Sequence, residues 1–195
     1  MNHKLPKDYS IIEVPAKEFW KLCEKPARKI FSDNLDYYGT DLIDTKSEKK
    51  KFNKLTQEFD SPKHYKIFLV LFYKTKLVGW SWGYQQTALT FYMCNSAVDP
   101  KHRRKGLYTI LMNEVVQKAT EKGFQTITSR HIITNNDVII AKLKAGFKII
   151  SFELSERFGT MIVLNYFTQK IRHDILDFRS GFKYPDKKMK KIFKL

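Results

Sequence analysis

The sequence predicts an α+β fold in which one sheet is flanked by helices. Apolar segments of strand length alternate with segments whose apolar residues recur at helical spacing, in the order β-α-α-β-β-β-α-β-α-β-β. The chain has 195 residues and is 43% hydrophobic, which is enough to bury one sizeable core. We therefore expect a single domain over residues 1–167, followed by a basic tail over residues 168–195.

The first elements are a strand and two helices. A short strand at "IIEV" precedes a helix over residues 16–31, which Pro26 is expected to break or kink. The apolar residues of this helix are Phe19, Trp20, Leu22 and Cys23. A second, more polar helix is predicted over residues 41–59, with its inward positions at Leu42, Phe52, Leu55 and Phe59.

Three strands follow these helices. The run "IFLVLFY" is apolar throughout, which predicts a strand buried on both faces. In "LVGWSWGYQ" large side chains alternate with small or polar ones, which is typical of a hairpin partner with one aromatic face. That face consists of Val78, Trp80, Trp82 and Tyr84, and its aromatic rings belong either to the core or to the wall of a ligand pocket. The third strand is "LTFYMCNSAV".

The second half alternates helices and strands. A helix is predicted from about Gly106 to Lys122, ending at Gly123, with an inner stripe of Leu107, Ile110, Leu111 and Val115. The strand "FQTITSRHII" leads to a short helix within "NNDVIIAKLKAG", capped by Asn135 or Asn136. Ile139 and Leu143 are expected to share the inner face of this helix. The strands "FKIISFEL" and "TMIVLNYF" complete the domain.

Composition narrows the classes of function. The net charge of +16 favours an anionic partner, such as nucleic acid, anionic lipid or a polyphosphate cofactor, or it reflects only a lysine-rich surface. Cys23 and Cys94 lack neighbours at ligand spacing, so neither a disulfide framework nor a zinc site is predicted. No apolar run has the character of a signal peptide or the roughly 18 residues of a membrane span. We therefore expect a soluble cytoplasmic protein.

The basic tail has two interpretations. It ends in "DKKMKKIFKL", which would either form an amphipathic helix or remain a loose arm that binds an anionic surface. A docked helix would bury Met189, Ile192 and Phe193. We favour packing over the arm.

The segment "SAVDPKHRRKGLYTILM" joins a strand to a helix through a basic turn. The free backbone N–H groups and the dipole at the start of a helix favour phosphate. Gly106 would let a ligand approach the backbone closely, and residues 103–105 add three positive charges. The segment therefore predicts a pyrophosphate site, although it matches neither the P-loop nor the dinucleotide fingerprint.

Two motifs within residues 65–154 resemble the GNAT superfamily of N-acetyltransferases. The stretch "RRKGLY" is similar to the acyl-CoA signature Q/R-x-x-G-x-G/A through Gly106. In "NNDVIIAKLKAGFKI", Asn135 precedes Gly146-Phe147 at the spacing of the second motif of the family. The resemblance implies a GNAT-like fold with a central, mostly antiparallel mixed sheet. It also implies that acetyl-CoA is the acyl donor and that no metal is required.

The resemblance further implies which residues bind the cofactor. Backbone N–H groups from Arg104 to Tyr108 would hold the CoA pyrophosphate, and the strand end at Ala97 and Val98 would pair with the pantetheine arm. The N–H of Val98 matches the position that polarises the thioester carbonyl. The cofactor-binding residues implied are Ala97, Val98, Arg103, Arg104, Lys105, Gly106, Leu107, Tyr108, Asn135 and Asn136.

The chain departs from the family pattern at two positions. Tyr108 replaces a small residue, so its ring is expected to point outward or to lie along the ligand. Lys142 occupies the place of a tyrosine that serves many relatives as the acid for the leaving thiolate. A cation there would stabilise the thiolate, but at the ordinary lysine pKa of about 10.4 we expect Lys142 to be solvated.

The catalytic base has two candidates. An amine acceptor must lose a proton before it attacks, commonly to a side chain or to water. Tyr92 lies where some relatives carry a glutamate, and His131 on the following strand has an ordinary pKa that suits base catalysis near neutrality. Transfer by proximity, with water accepting the proton, is the alternative.

The sequence thus predicts an N-acetyltransferase that transfers an acetyl group from acetyl-CoA to a primary amine by direct attack. The acceptor is an unidentified small molecule or protein, and the positive charge of the chain favours a neutral or acidic one. The alternative function is a CoA-binding sensor, or an RNA-associated protein that uses the basic tail, with little or no catalysis. Nucleic acid is not the favoured partner.

Overall fold

The computed structural model describes residues 4–30, 45–59 and 63–194, without the side chains of Arg28 and Phe59. The predicted order of elements is confirmed, and two further helices follow it in the tail. The strands are β1 (Tyr9–Glu13), β2 (Lys66–Tyr73), β3 (Lys76–Gln85), β4 (Thr90–Val98), β5 (Thr126–Ile132), β6 (Lys148–Ser155) and β7 (Gly159–Phe167). The helices are α1 (Ala16–Ile30), α2 (Lys46–Phe59), α3 (Leu107–Lys122), α4 (Asn136–Lys144), α5 (Lys170–Arg179) and α6 (Lys187–Phe193).

The seven strands form one sheet in the order β1-β2-β3-β4-β5-β7-β6. The β4–β5 pair is parallel and the other neighbouring pairs are antiparallel, which confirms the predicted mixed sheet. The parallel pairing covers only Thr90–Tyr92 against Thr126–Thr128, beyond which the two strands separate. We call the opening beyond Tyr92 and Thr128 the strand gap. Between β3 and β4 the register shifts, since Trp82 pairs with Asn95 and Gly83 pairs with Met93.

The core lies on both faces of the sheet. Alternate residues of β2 point to opposite sides, so Leu69 lies in the cluster under α3 and Val70 lies in the cluster under α1. The predicted inner stripe of α3 is buried throughout, and the helix ends at Gly123, whose φ of 103° is left-handed. In α1 the helix continues through Pro26 to Ile30 instead of breaking there, and it buries Phe19 and Cys23.

The prediction of an inward face on α2 is wrong for Phe52 and Leu55, which are 67% and 64% exposed. Neither residue belongs to the two core clusters. Local interactions define this helix instead. Thr45 and Glu48 form a capping box in which each side chain accepts a hydrogen bond from the backbone N–H of the other residue. Leu42 and the side chain of Phe59 lie outside the described residues.

The tail is folded onto the domain. A ring nitrogen of His173 on α5 lies 2.9 Å from the backbone oxygen of Phe167, and Lys148 on β6 forms an ion pair of 3.0 Å with Asp177. In α6 the side chain of Asp186 caps the helix and Met189 is fully buried, as predicted for a packed terminus. Ile192 was also expected to dock, but it is half exposed, because only one side of this short helix is covered.

Candidate active site

A turn between β4 and α3 presents unbonded backbone N–H groups. Asp99 accepts a hydrogen bond from the N–H of Lys101 at 2.9 Å and so begins a 3₁₀ turn over Pro100–His102. Arg104 and Gly106 then adopt left-handed φ angles of 62° and 74°. Among the described residues, no acceptor contacts the N–H groups of residues 104–109, and the first bond of α3 runs from Ile110 N to Gly106 O. Such a concave run of N–H groups at a helix start is an anion site.

The cationic side chains of this turn bind protein groups. The Nε of Arg103 donates to the backbone oxygen of Val98 at 3.0 Å, and Arg104 contacts Asp137 on α4 at 3.4 Å. Lys105 donates to the hydroxyl of Tyr9 at 3.2 Å. The turn thus holds three positive charges around the free N–H groups. Because these three side chains already contact protein groups, the backbone N–H groups are the donors available to an anion. A Cβ added to Gly106 would meet nothing within 4 Å, so the approach to the backbone is open.

The end of β4 also presents backbone groups to the strand gap. The N–H of Asp99 donates to the oxygen of Val78 at 2.8 Å. Hydrogen-bonded and non-hydrogen-bonded pairs alternate in an antiparallel ladder, so Ala97 bonds to Trp80 on β3 whereas Val98 points away from β3. Of the two residues predicted to bind the pantetheine arm, Val98 is the one whose N–H faces the gap.

A cavity of about 890 Å³ opens at the strand gap. Its walls come from α1, β3, β4, α3, β5, α4, the turn between β6 and β7, and the start of β7. The lining residues include Trp20, Glu24, Trp80, Trp82, Tyr92, Met93, Asn95, Ser96, Tyr108, Arg130, His131, Asn135, Lys142 and Arg157. The cavity therefore receives both predicted catalytic residues, together with Tyr108 and Asn135 of the predicted cofactor set. Asn136 is exposed at the start of α4, and Asn135 is the N-cap without a side-chain capping bond.

Burial keeps both candidate bases uncharged: His131 remains without its second proton, and Tyr92 retains the proton of its hydroxyl. Burial and the charge of Lys142 lower the pKa of His131 to about 3, so its imidazole is neutral at physiological pH. One ring nitrogen of His131 lies 3.2 Å from the hydroxyl of Ser129. Burial raises the pKa of Tyr92 to about 12, and the Arg130 guanidinium carbon lies 4.9 Å from the centre of its ring. Tyr92 can therefore donate a hydrogen bond, while His131 can take part in hydrogen bonds as a neutral ring but is a weak base.

Lys142 is buried, not solvated as expected. Its side chain is 1% exposed, and Nζ lies 3.0 Å from the sulfur of Met93 and 4.2 Å from the centre of the Phe147 ring. Burial lowers its pKa to about 7. The expected inner face of α4 is also wrong for Leu143, which is 41% exposed. The helix buries Ile139 and Lys142 instead, which follow the same i,i+3 spacing.

Two further groups bear on the earlier alternatives. The Tyr108 ring packs against the core and lines the cavity, and burial raises the pKa of its hydroxyl. Trp80 and Trp82 contribute to the core and also line the cavity, while their place in an acceptor pocket stays a prediction. Arg130 also lines the cavity, although no sequence motif indicated it, and it forms an ion pair with Glu153 at 3.0 Å. Its position beside His131 was the only signal.

Comparison with known proteins identifies the family. The model of the Acetyltransferase (GNAT) family matches residues 27–147, more than half of the chain. The chain belongs to the GNAT acetyltransferase family. Both the predicted resemblance and the predicted fold class are thereby confirmed. No curated protein matched the sequence.

Solved GNAT structures share the fold at low sequence identity. One is yncA from Salmonella typhimurium with its cofactor acetyl-CoA, at 13% identity over 84% of this chain and 96% of that one, with a TM-score of 0.60. A GNAT acetyltransferase from Elizabethkingia anophelis with acetyl-CoA bound has 14% identity, coverage of 83% and 99%, and a TM-score of 0.57. The ribosomal-protein-S18-alanine N-acetyltransferase from Escherichia coli has 15% identity, coverage of 83% and 94%, and a TM-score of 0.57.

The described residues contain neither a metal-ligand cluster nor a helix that could span a membrane. No group of three His, Cys, Asp or Glu side chains in these ranges could hold a metal ion. Within the same part of the chain, no helix is long and apolar enough to cross a membrane.

Proposed function

We propose that this GNAT protein transfers an acetyl group from acetyl-CoA to a primary amine by direct attack. The observation that supports the proposal is the run of free N–H groups at residues 104–109, which lies beyond Val98 at the end of β4 away from its pairing with β5. A ligand with phosphates on this run can extend along β4 into the cavity. The proposed cofactor residues are the backbone of this turn, Val98 and Asn135. Bound acetyl-CoA supplies the activated acyl group.

Protein groups would assist the attack in two ways. The N–H of Val98 points into the gap, so it can hydrogen-bond to a carbonyl oxygen of the pantetheine arm and so direct the thioester along β4 towards Met93. With a pKa of about 3 the imidazole of His131 is too weak a base to hold the proton of the amine, so we propose that water accepts it while His131 and the hydroxyl of Tyr92 orient the acceptor through hydrogen bonds. Holding the amine beside the thioester supplies much of the remaining rate enhancement.

The acceptor would enter between α1 and the β6–β7 turn. Trp20 and Trp82 contact each other edge to face with 5.2 Å between ring centres, and both line the cavity. Large aromatic walls with a few polar groups suit a small molecule or a side chain that carries an amine. We propose a neutral or acidic acceptor, in keeping with the net charge of +16, and a cytoplasmic location.

A thiol-release assay with acetyl-CoA and a panel of primary amines tests the proposal. The expected result is repeated turnover with at least one amine and an acetylated product in the mass spectrum. Gly106→Asn should lower the rate, because an added side chain would stand where the phosphates approach. Gly181→Asn is the matched control, since Gly181 has a φ of 72° and equally open space at its Cβ position. Binding without turnover on the whole panel would favour the sensor.

A further inference from the structure

Lys142 is a buried amine that lacks a carboxylate partner. Its side chain is 1% exposed, and the groups near Nζ are the sulfur of Met93 and the ring of Phe147. Within the described ranges, no carboxylate lies within ion-pair distance of Nζ. A buried lysine that is not paired favours its neutral form, which is the nucleophilic form of an amine.

The other titratable groups of the cavity do not restore a charge partner. His131 on β5 interacts with Lys142 and is neutral, whereas the neighbouring Arg130 packs on Tyr92 and pairs with Glu153. Burial raises the pKa of Cys94 to about 12, so this thiol on β4 is protonated. Lys142 therefore lies among neutral groups, and burial holds its pKa near 7.

The location of Lys142 matches the far end of the proposed acetyl-CoA site. Nζ contacts Met93, which directly follows Tyr92, the last residue of β4 that pairs with β5. The free N–H groups lie at the opposite end of β4, beyond Val98. A ligand whose phosphates occupy that turn and whose arm follows the strand gap reaches Met93 with its acyl end. This step rests on the proposed function.

We propose that Lys142 is itself an acetylation site, modified by the protein from bound acetyl-CoA when no other acceptor is present. The neutral Nζ attacks the thioester carbonyl carbon, so that an N–C bond forms and the C–S bond breaks. The electron pair of that bond leaves with sulfur, and the proton lost by Nζ passes to the thiolate, which yields CoA thiol and an amide. The amide carries no charge, and its acetyl group takes up space that the acceptor would otherwise use.

Peptide mapping by mass spectrometry tests this assignment. Wild-type protein is incubated with acetyl-CoA alone, and acetylation is followed at Lys142 and at Lys144, an exposed lysine on the same helix. We expect one acetyl group per chain at Lys142, at least tenfold faster than at Lys144. An ordinary lysine of pKa about 10.4 is neutral in about one molecule in 2,500 at neutral pH, whereas Lys142, with a pKa of about 7, is neutral in about half.

The pH profile and matched variants separate this reaction from surface chemistry. The rate at Lys142 should level off just above pH 7, while that of an ordinary lysine rises about tenfold per pH unit up to its pKa. Lys142→Met should fold and abolish the fast acetylation, because methionine is apolar and of similar length. Lys144→Arg should leave it unchanged.

The outcomes distinguish the two proposals. Binding of acetyl-CoA in a calorimeter without acetylation of Lys142 would overturn the self-acetylation and leave the proposed function standing. Equal rates at Lys142 and Lys144 would overturn it as well, since they would indicate unassisted chemistry. Failure of acetyl-CoA to bind would overturn both the proposed function and the self-acetylation of Lys142.

Discussion

Replacing Lys142 by methionine should stabilise the protein at neutral and acidic pH and lose most of that effect in alkali. The pKa of Lys142 is lowered by burial from 10.5 to about 7. Between these values the unfolded chain holds a proton that the folded protein has released, so the stability contributed by this group rises with pH. Below the folded-state pKa the lysine is protonated in both states, and burying the charge has its full cost, about 5 kcal/mol at 1.36 kcal/mol per pH unit.

The difference in unfolding free energy between Lys142→Met and wild type therefore depends on pH. Because the pKa of Lys142 differs between the folded and unfolded states, the free-energy cost of burying it falls by about 3 kcal/mol between about pH 6 and about pH 9.5. Urea unfolding of wild type and Lys142→Met at both pH values measures the difference, and Lys144→Met on the same helix is the control. An equal difference between wild type and Lys142→Met at the two pH values would refute the argument.

Further predictions concern the backbone and the candidate bases. Gly83→Ala should cost about 2 kcal/mol or more of unfolding free energy, because the added Cβ would clash with the backbone oxygen of Tyr92. Gly181→Ala has open space but a left-handed φ of 72°, so its cost in urea unfolding reports backbone strain without a clash and should be smaller. Equal costs would contradict the clash at Gly83. His131→Asn should lower kcat for an active amine by less than about tenfold, because an imidazole with a pKa of about 3 orients groups without holding the proton, and a loss of about a hundredfold or more would contradict this. Tyr92→Phe should raise KM more than it lowers kcat, and a collapse of kcat alone would assign the proton transfer to Tyr92 instead.

The fold was largely predictable because the strand and helix periods are strong. The run Ile67–Tyr73 is apolar at every position, and β2 is buried on both faces. The inner stripe of α3 follows helical spacing without interruption, and the structure buries all of it. The errors fall where local and tertiary preferences differ. In α2, capping and charge pairs specify a helix without requiring burial, so Phe52 and Leu55 could not be placed from spacing.

The site was predictable where it depends on backbone and less so where it depends on side chains. Gly106 and the basic turn indicated the anion site directly, since glycine and a helix start have defined geometry. Lys142 could not be placed, because a lysine is normally exposed and only the packing of α4 against Met93 and Phe147 shows its burial. The pKa of His131 likewise depends on burial and on Lys142, which are tertiary features.

Calorimetry with acetyl-CoA tests the central claim most directly, since the account rests on the anion site between β4 and α3. Wild-type protein and Gly181→Asn should bind acetyl-CoA alike. Gly106→Asn should bind at least about tenfold more weakly, a loss of about 1.4 kcal/mol. Absence of binding to wild type, or equal binding by all three proteins, would contradict the assignment of residues 104–109 as the cofactor site.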